Sequence, residues 1–301
     1  MRRALWPAVL LAAACSSAGG PELVGDRAYG AGRYAEAMAR YREAARRRAD
    51  GRLWAKIGAA ALHLGDLKAA AEAYRQLAAE DPSRADEAAD GLETVARGAE
   101  RRDDPAALHD AVVALRAIAP ERSVARYALA LVRRSAVPPE DALTILPAAM
   151  AAAPDPAAMD SLLAAYGAAL QRSGGCDRAA PAYRAALRRS RSPAVRAAAA
   201  PGLAACALSL GLGALGQGRA DEAAAWFRQA VSVDSTSWIG RRALIGLGDA
   251  RVGQGDVIGA AIAFQSAVVE GQTPDSITRL AEDRLRALGA PPVDSARHRL
   301  P

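Results

Sequence analysis

The 301-residue chain has few of the residues on which sheets and aromatic-rich surfaces depend. Phe, Trp and Tyr make up 4% of it, and lysine occurs only at Lys56 and Lys68. Strand-forming residues never alternate with polar ones over a useful length, which argues against a sheet. Much of the apolar share, 51% of the chain, is alanine, and small side chains let helices pack closely. The composition therefore predicts an all-α fold.

The charge pattern argues against a nucleic-acid partner. The net charge is +6, and arginine supplies nearly all of the positive charge. Basic residues are interleaved with acidic ones, as in the segment Arg40-Tyr41-Arg42-Glu43. A nucleic-acid binder more often clusters its basic residues and places aromatic rings among them for stacking. We therefore expect solvated helix faces and no nucleic acid.

The sequence contains no motif of a known catalytic or metal site. P-loop, Gly-x-Ser-x-Gly and His-Glu-x-x-His strings do not occur, and none of the three histidines has a His or Cys at metal-ligand spacing. Gly211, Gly213 and Gly216 match Gly-x-Gly-x-x-Gly, but they lie in a predicted helix with no strand before them. We expect no enzyme activity, no metal, no cofactor and no small-molecule substrate.

The N-terminal segment has the pattern of an export signal. The basic residues Arg2 and Arg3 precede an apolar run from Ala4 to Ala14, which is too short to span a bilayer. Small residues followed at once by Cys15 resemble the bacterial lipobox, with Ala12 where that motif usually has Leu. The resemblance implies cleavage of a signal peptide at 1–14, a lipid anchor at Cys15, and sorting to the outer membrane because Ser16 follows the cysteine. The alternative is an ordinary cleaved signal peptide with an incidental cysteine.

A short phrase returns along the rest of the chain. It reads Gly, an aromatic or aliphatic residue two places on, then a small or apolar residue, an aromatic ring, and again a small or apolar residue. The clearest copies are Gly32-Tyr34-Ala37-Tyr41-Ala44, Gly65-Leu67-Ala70-Tyr74-Leu77, Gly218-Ala220-Ala223-Phe227-Ala230 and Gly255-Val257-Ala260-Phe264-Ala267. Such a return predicts a stack of similar small units.

The phrase resembles the tetratricopeptide repeat (TPR), a pair of antiparallel helices. Residues 51–84 fit best, with Trp54, Gly58 and Ala61 in the first helix and Pro82 after the second. The resemblance implies a right-handed α-solenoid of about seven helix pairs over 22–289. Its units begin near 18, 51, 89, 123, 160, 204 and 241, and a capping helix covers 275–288. We expect 15–21 to be a flexible tether and 290–301 a disordered tail.

Two further cysteines form a disulfide candidate. An exported protein meets an oxidising compartment, where Cys176 and Cys206 remain after acylation of Cys15. If the chain turns near Ser190–Pro193 and returns antiparallel, Cys206 lies opposite Cys176. The alternative is two buried thiols that act as small hydrophobic residues.

The TPR resemblance implies that first helices line a concave face that holds a peptide or helix. Its inner positions in the later units are apolar, which suits an amphipathic helix. They are Tyr127, Leu131, Leu208, Leu212, Leu215, Ile245 and Val252. The same positions in the early units are charged, namely Glu22, Asp26, Arg52, Asp90, Glu93 and Arg97. The alternative is that the superhelix or its capping helix already covers the apolar positions.

These observations predict a lipid-anchored scaffold in the bacterial envelope, on the periplasmic face of the outer membrane. It would bind a protein partner, in outer-membrane or envelope assembly. Two alternatives stay open, an envelope hydrolase or ligand-binding lipoprotein and a self-assembling structural array.

Overall fold

The computed structural model describes residues 20–48, 50–270 and 275–289. These residues form fifteen α-helices and no strand. They divide between Arg122 and Ser123 into two compact units. The predicted signal peptide at 1–14, the anchor residue Cys15 and the tail at 290–301 lie outside the described residues.

The first unit holds three helix pairs in series. Its helices are α1 Pro21–Gly30, α2 Tyr34–Arg47, α3 Gly51–Leu64, α4 Leu67–Glu80, α5 Ala85–Arg102 and α6 Pro105–Ile118, with a 3₁₀ turn at Pro82–Arg84. Each helix packs on the next one in the chain, and α3 also contacts α5. Helix α1 begins at Pro21, the last residue of the predicted tether.

The second unit holds four more pairs and a final single helix. Its helices are α7 Ala125–Arg133, α8 Ala142–Met150, α9 Pro156–Arg172, α10 Cys176–Arg189, α11 Pro193–Gly216, α12 Ala220–Val233, α13 Trp238–Gly253, α14 Val257–Val269 and α15 Ser276–Ala287. The structure confirms the predicted all-α class. It also has the predicted seven helix pairs and the final capping helix.

The turn inside each pair shows why the chain folds this way locally. Gly65 ends α3 in the left-handed region, at φ 73°, which glycine adopts without strain. The carboxylate of Asp66 then accepts the backbone N–H of Ala69 and caps the N-terminus of α4. In the third pair Asp103 takes the glycine's place at φ 53°, and Asp104 caps α6 through Ala107. The third helix pair, whose sequence departs from the repeated phrase, therefore keeps the turn without its glycine.

At Tyr74, Tyr183 and Phe227, the aromatic ring packs between glycines of two successive first helices. A Cβ atom on Gly58 would lie 2.8 Å from Cζ of Tyr74, and one on Gly91 of the next pair would collide with the same ring. Phe227 is held in the same way by two glycines in the second unit. Because the ring touches its own pair and the following one, it locks successive pairs together.

Helix α11 starts earlier than the sixth repeat was predicted to start. The repeat pattern places that repeat near residue 204, but the helix begins at Pro193 and runs through Pro201. Proline at the first helical position is favourable, since its missing N–H has no helical partner there. The start predicted near 204 is therefore wrong for the first helix of this repeat.

Candidate partner-binding groove

A groove in the first unit lies between α1, α3 and the start of α5. Its volume is about 450 Å³. The floor between the charged walls is formed by the small residues Ala55 and Ala59 of α3. The remaining lining residues are Asp26, Tyr29, Tyr41, Arg52, Lys56, Arg84 and Glu87. We call this surface the inner groove.

Lys56 joins α3 to α1 at the wall of the inner groove. Its Nζ atom donates to Oε1 of Glu22 at 2.7 Å and to Oδ1 of Asp26 at 2.7 Å. The hydroxyl of Tyr41 on α2 donates to the same Asp26 oxygen at 2.9 Å. Three helices are therefore tied together by one cluster of two carboxylates, an ammonium group and a phenol.

The surroundings of the cluster keep Lys56 charged and Tyr41 neutral at ordinary pH. Burial alone would lower the pKa of Lys56, but its hydrogen bonds with Asp26 and Glu22 outweigh burial and raise that pKa. Burial, together with the hydrogen bond to Asp26, raises the pKa of Tyr41 well above its usual value. Lys56 therefore stays an ammonium ion and Tyr41 a neutral hydrogen-bond donor.

The α5 side of the inner groove carries a second ion pair, and α3 contributes a more exposed arginine. Nε of Arg84 donates to Oε2 of Glu87 at 2.7 Å. Arg52 reaches only 3.7 Å from Oδ2 of Asp50, and 74% of its side chain is exposed. The groove thus has charges of both signs, of which Arg52 is the least engaged.

Aromatic residues extend one end of the inner groove. Tyr29, which lines the groove, contacts Tyr34 edge to face at a centroid distance of 5.2 Å. His63 stacks on Tyr34 at 4.1 Å, with the two rings 4° from parallel. These rings add an apolar surface beside the charged walls.

The charged inner positions predicted for the early units fall into two groups. Glu22, Asp26 and Arg52 lie at or beside the inner groove, two of them bound by Lys56. Asp90 instead pairs with Arg122, whose guanidinium also approaches Asp86 at 3.3 Å. Glu93 and Arg97 lie further along α5, where Arg97 donates to the hydroxyl of Thr94. Only the first group therefore forms one site.

The apolar positions predicted for the later units do not form an open stripe. Four of the seven are core residues of the second unit, with 0–7% of each exposed: Tyr127, Leu131, Leu208 and Ile245. Leu215 is half-buried, while Leu212 and Val252 are 39% and 44% exposed. The helical period identifies one face of a helix but not which neighbour covers it. Four of the seven predicted groove positions are therefore closed to a partner, and the expectation is corrected for these four.

The sequence reasoning missed Lys56 and Tyr41 as members of the site. Lys56 follows Arg52 by one helical turn, so the same face of α3 carries both. Tyr41 belongs to the repeated phrase, but its hydroxyl also reaches Asp26. Their spacing was available in the sequence, but their carboxylate partners belong to another helix.

The disulfide candidate is placed for bonding. The structure joins Cys176 of α10 and Cys206 of α11 through their sulfur atoms, with the Cα atoms 5.0 Å apart. That separation lies within the usual range for a bridge. The antiparallel return that the sequence argument required is supplied by α11. Whether the two thiols are oxidised in the protein stays a prediction.

Two other sequence features are helical in the structure. Gly211, Gly213 and Gly216 lie inside α11, where Gly211 packs on Phe227 rather than opening a phosphate-binding turn. Across residues 20–48, 50–270 and 275–289, no group of three or more His, Cys, Asp or Glu side chains could hold a metal ion.

Among the described helices, α11 alone is long and apolar enough to cross a membrane by length and composition. In the second unit it packs against α9, α10, α12 and α13. Nearly half, 44%, of its apolar window is buried there. Core helices of soluble proteins pass the same test, so we treat α11 as a core helix of the repeat array.

Comparisons with known proteins identify a repeat family. The tetratricopeptide repeat family matches residues 25–85, 167–237 and 208–277, together more than half of the chain. The matches leave out most of the third and fourth helix pairs, where the repeated phrase is degenerate. No curated protein matches the chain significantly.

Three solved structures illustrate the similarity. BtubC (BKLC) from P. vanneervenii is 16% identical, with 74% of this chain and 80% of that chain covered and a TM-score of 0.30. A thermophilic TPR protein of Thermus thermophilus is 23% identical, with 75% and 97% covered and a TM-score of 0.23. The TPR2AB domain of yeast Sti1 is 17% identical, with 89% and 97% covered and a TM-score of 0.30.

Proposed function

Since the chain belongs to the tetratricopeptide repeat family, we propose that it is a protein-binding scaffold whose inner groove holds a segment of a partner protein. The observation that carries this proposal is the groove of about 450 Å³ between α1, α3 and α5. The TPR fold itself suggests binding of a protein partner. We propose no catalytic role for this groove.

The chemistry of the groove indicates what kind of segment fits. The charged residues on its walls are already paired through Lys56 and through Arg84, except that Arg52 is largely exposed. The floor of Ala55 and Ala59 leaves room for backbone or small side chains to approach α3. A short peptide with an acidic residue placed against Arg52 and apolar residues against the floor matches this pattern. This partner replaces the amphipathic helix expected from the later units, because that apolar stripe is mostly buried.

We also propose that the protein is tethered in the bacterial envelope as an outer-membrane lipoprotein through Cys15. The support is the lipobox-like sequence and the short apolar run before it. Several acyl chains hold a protein firmly, whereas a single chain holds it only marginally. Mass spectrometry of the mature N-terminus tests this part. An acylated Cys15 supports it, and a different or lipid-free N-terminus contradicts it.

The groove proposal is tested by site-specific photo-crosslinking in cells. A photoreactive residue in place of Ala59 lies on the groove floor, whereas one in place of Lys68 lies on the exposed surface of α4. We expect a discrete protein adduct from position 59 that is lost when Arg52→Glu is added. Position 68 is the matched control. Equal adducts from both positions, or an adduct indifferent to Arg52→Glu, would contradict the proposal.

A further inference from the structure

The second unit contains a cleft whose rim is formed by arginines from two helices. It lies between the C-terminal parts of α10 and α12 and the N-terminal part of α11, and its volume is about 330 Å³. Arg184 and Arg188 of α10 and Arg196 of α11 line it. The apolar residues Leu187, Leu203 and Val233 line the same cleft. We call it the arginine cleft.

The three guanidinium groups have no carboxylate partner among the described residues. Elsewhere in the chain an arginine often pairs with an acid one helical turn away, as Arg84 does with Glu87. No such acid is available here, because the segment from Arg178 to Ala220 contains seven arginines and no aspartate or glutamate. The positive charge of the cleft is therefore not neutralised locally.

Two acidic residues of the second unit, Asp160 and Asp234, are engaged elsewhere. Asp160 accepts from Arg189 at 2.9 Å. Asp234, which directly follows α12, accepts the backbone N–H groups of Thr236 and Ser237 in its own turn. These hydrogen bonds lower the pKa of Asp234, so it stays ionised but is directed to its own backbone. Neither carboxylate forms an ion pair with an arginine of the cleft.

Two further features indicate a positively charged surface that is held in place. The guanidinium of Arg184 lies over the ring of Trp226, 5.6 Å from its centroid, which restrains the side chain. Arg196 lies in the first turns of α11, where the helix dipole already disfavours positive charge, and that turn has no acidic residue. A bound anion would relieve both this unfavourable position and the mutual repulsion of the three arginines.

We propose that the arginine cleft binds a phosphate group. Guanidinium groups bind carboxylate and phosphate in a bidentate fashion, which suits arginine more than lysine. A carboxylate has two oxygens and is satisfied by one such fork, whereas a phosphate monoester presents three terminal oxygens to three forks. The apolar side of the cleft would contact the organic part of the ligand. The phosphate comes either from a soluble phosphomonoester or from a lipid headgroup.

Two binding measurements on the full chain at low salt test the proposal. In one, inorganic phosphate is titrated by calorimetry. In the other, the protein is co-sedimented with phosphatidylcholine vesicles with and without phosphatidic acid. The variants Arg188→Gln and Arg196→Gln each remove one guanidinium from the cleft. The matched control, Arg178→Gln, removes the same charge from the exposed first turn of α10.

We expect Arg188→Gln and Arg196→Gln each to weaken binding by about tenfold, since each removes charge-assisted hydrogen bonds, and Arg178→Gln to leave it unchanged. Binding in both arms assigns the site to the phosphate group from either source, and binding to phosphatidic acid vesicles alone assigns it to a lipid headgroup. The proposal is overturned if neither probe binds or if all three variants weaken binding equally. It is also overturned if a glutamate-rich peptide competes as strongly as phosphate does.

Discussion

Replacing Gly246 with alanine tests the packing of rings between glycines. Gly246 lies in α13, and a Cβ atom there would come within 2.5 Å of Cε1 and Cζ of Phe227. The ring is fully buried. It cannot move away from α13, because α11 also lies against it: a Cβ atom added to Gly211 would lie 2.6 Å from Cε1 of the ring. The substitution therefore adds a methyl group where no space exists.

The expected magnitude follows from two opposing effects. Alanine in a helix interior is favoured over glycine by about 1 kcal/mol. Overpacking a closed site costs about 3 kcal/mol at the upper end of its usual range. Gly246→Ala should therefore lower the free energy of unfolding by about 2 kcal/mol. Urea unfolding of the full chain, followed by far-UV circular dichroism, measures this change.

The chain offers a matched control in the same region. Gly213 is exposed in α11, and nothing lies within 4 Å of a Cβ atom added there. Gly213→Ala should raise stability by about 0.5–1 kcal/mol. Adding Phe227→Leu to Gly246→Ala should remove most of the overpacking cost. If Gly246→Ala stabilises the protein as much as Gly213→Ala does, the ring does not lock the two pairs together.

Three further predictions concern the capping helix, the disulfide and a strained turn. Hydrogen bonds from Arg241 and the N–H of Thr278 hold the pKa of Asp275 well below its usual range. Asp275 therefore stabilises the folded protein above the ordinary aspartate pKa of about 4, and this stabilisation is lost as pH falls. Asp275→Asn should flatten the acid side of a profile of Tm against pH. The Cys176–Cys206 bridge closes a sequence separation of 30 residues, so its reduction should lower stability by about 3–4 kcal/mol. Labelling of the Cys176 and Cys206 thiols in the non-reduced, denatured protein would contradict the bridge. Ser135→Gly, at φ 53°, should raise stability by about 0.5–1 kcal/mol, and a fall in Tm would count against this reasoning.

Most of the fold could be predicted because each letter of the repeated phrase has one local or nearest-neighbour role. A glycine such as Gly65 ends a first helix, and a ring such as Tyr74 packs between two pairs. The start of α11 could not be predicted from the phrase. Pro193 begins that helix and Pro201 is accommodated within it, whereas the repeat pattern suggested a later start.

The site was less predictable than the fold. Helical periodicity assigned Tyr127 and Ile245 to an inner face, but their own unit buries them. The cluster of Lys56, Asp26 and Tyr41 joins residues from three helices, and only the packed structure shows that they meet. A sequence reading identifies the face that a residue occupies, whereas its partners depend on the neighbouring helices.

Hydrogen exchange of the wild-type chain and of Gly246→Ala, read by mass spectrometry, tests most directly whether the protein is a serial array of helix pairs. Because each pair is stabilised by its neighbours, the account predicts faster exchange confined to α11, α12, α13 and α14. The amides of α3 and α4 should keep their wild-type protection. Equal loss of protection in α3, α4 and the substituted region would mean that one cooperative core holds the chain, and would contradict the account.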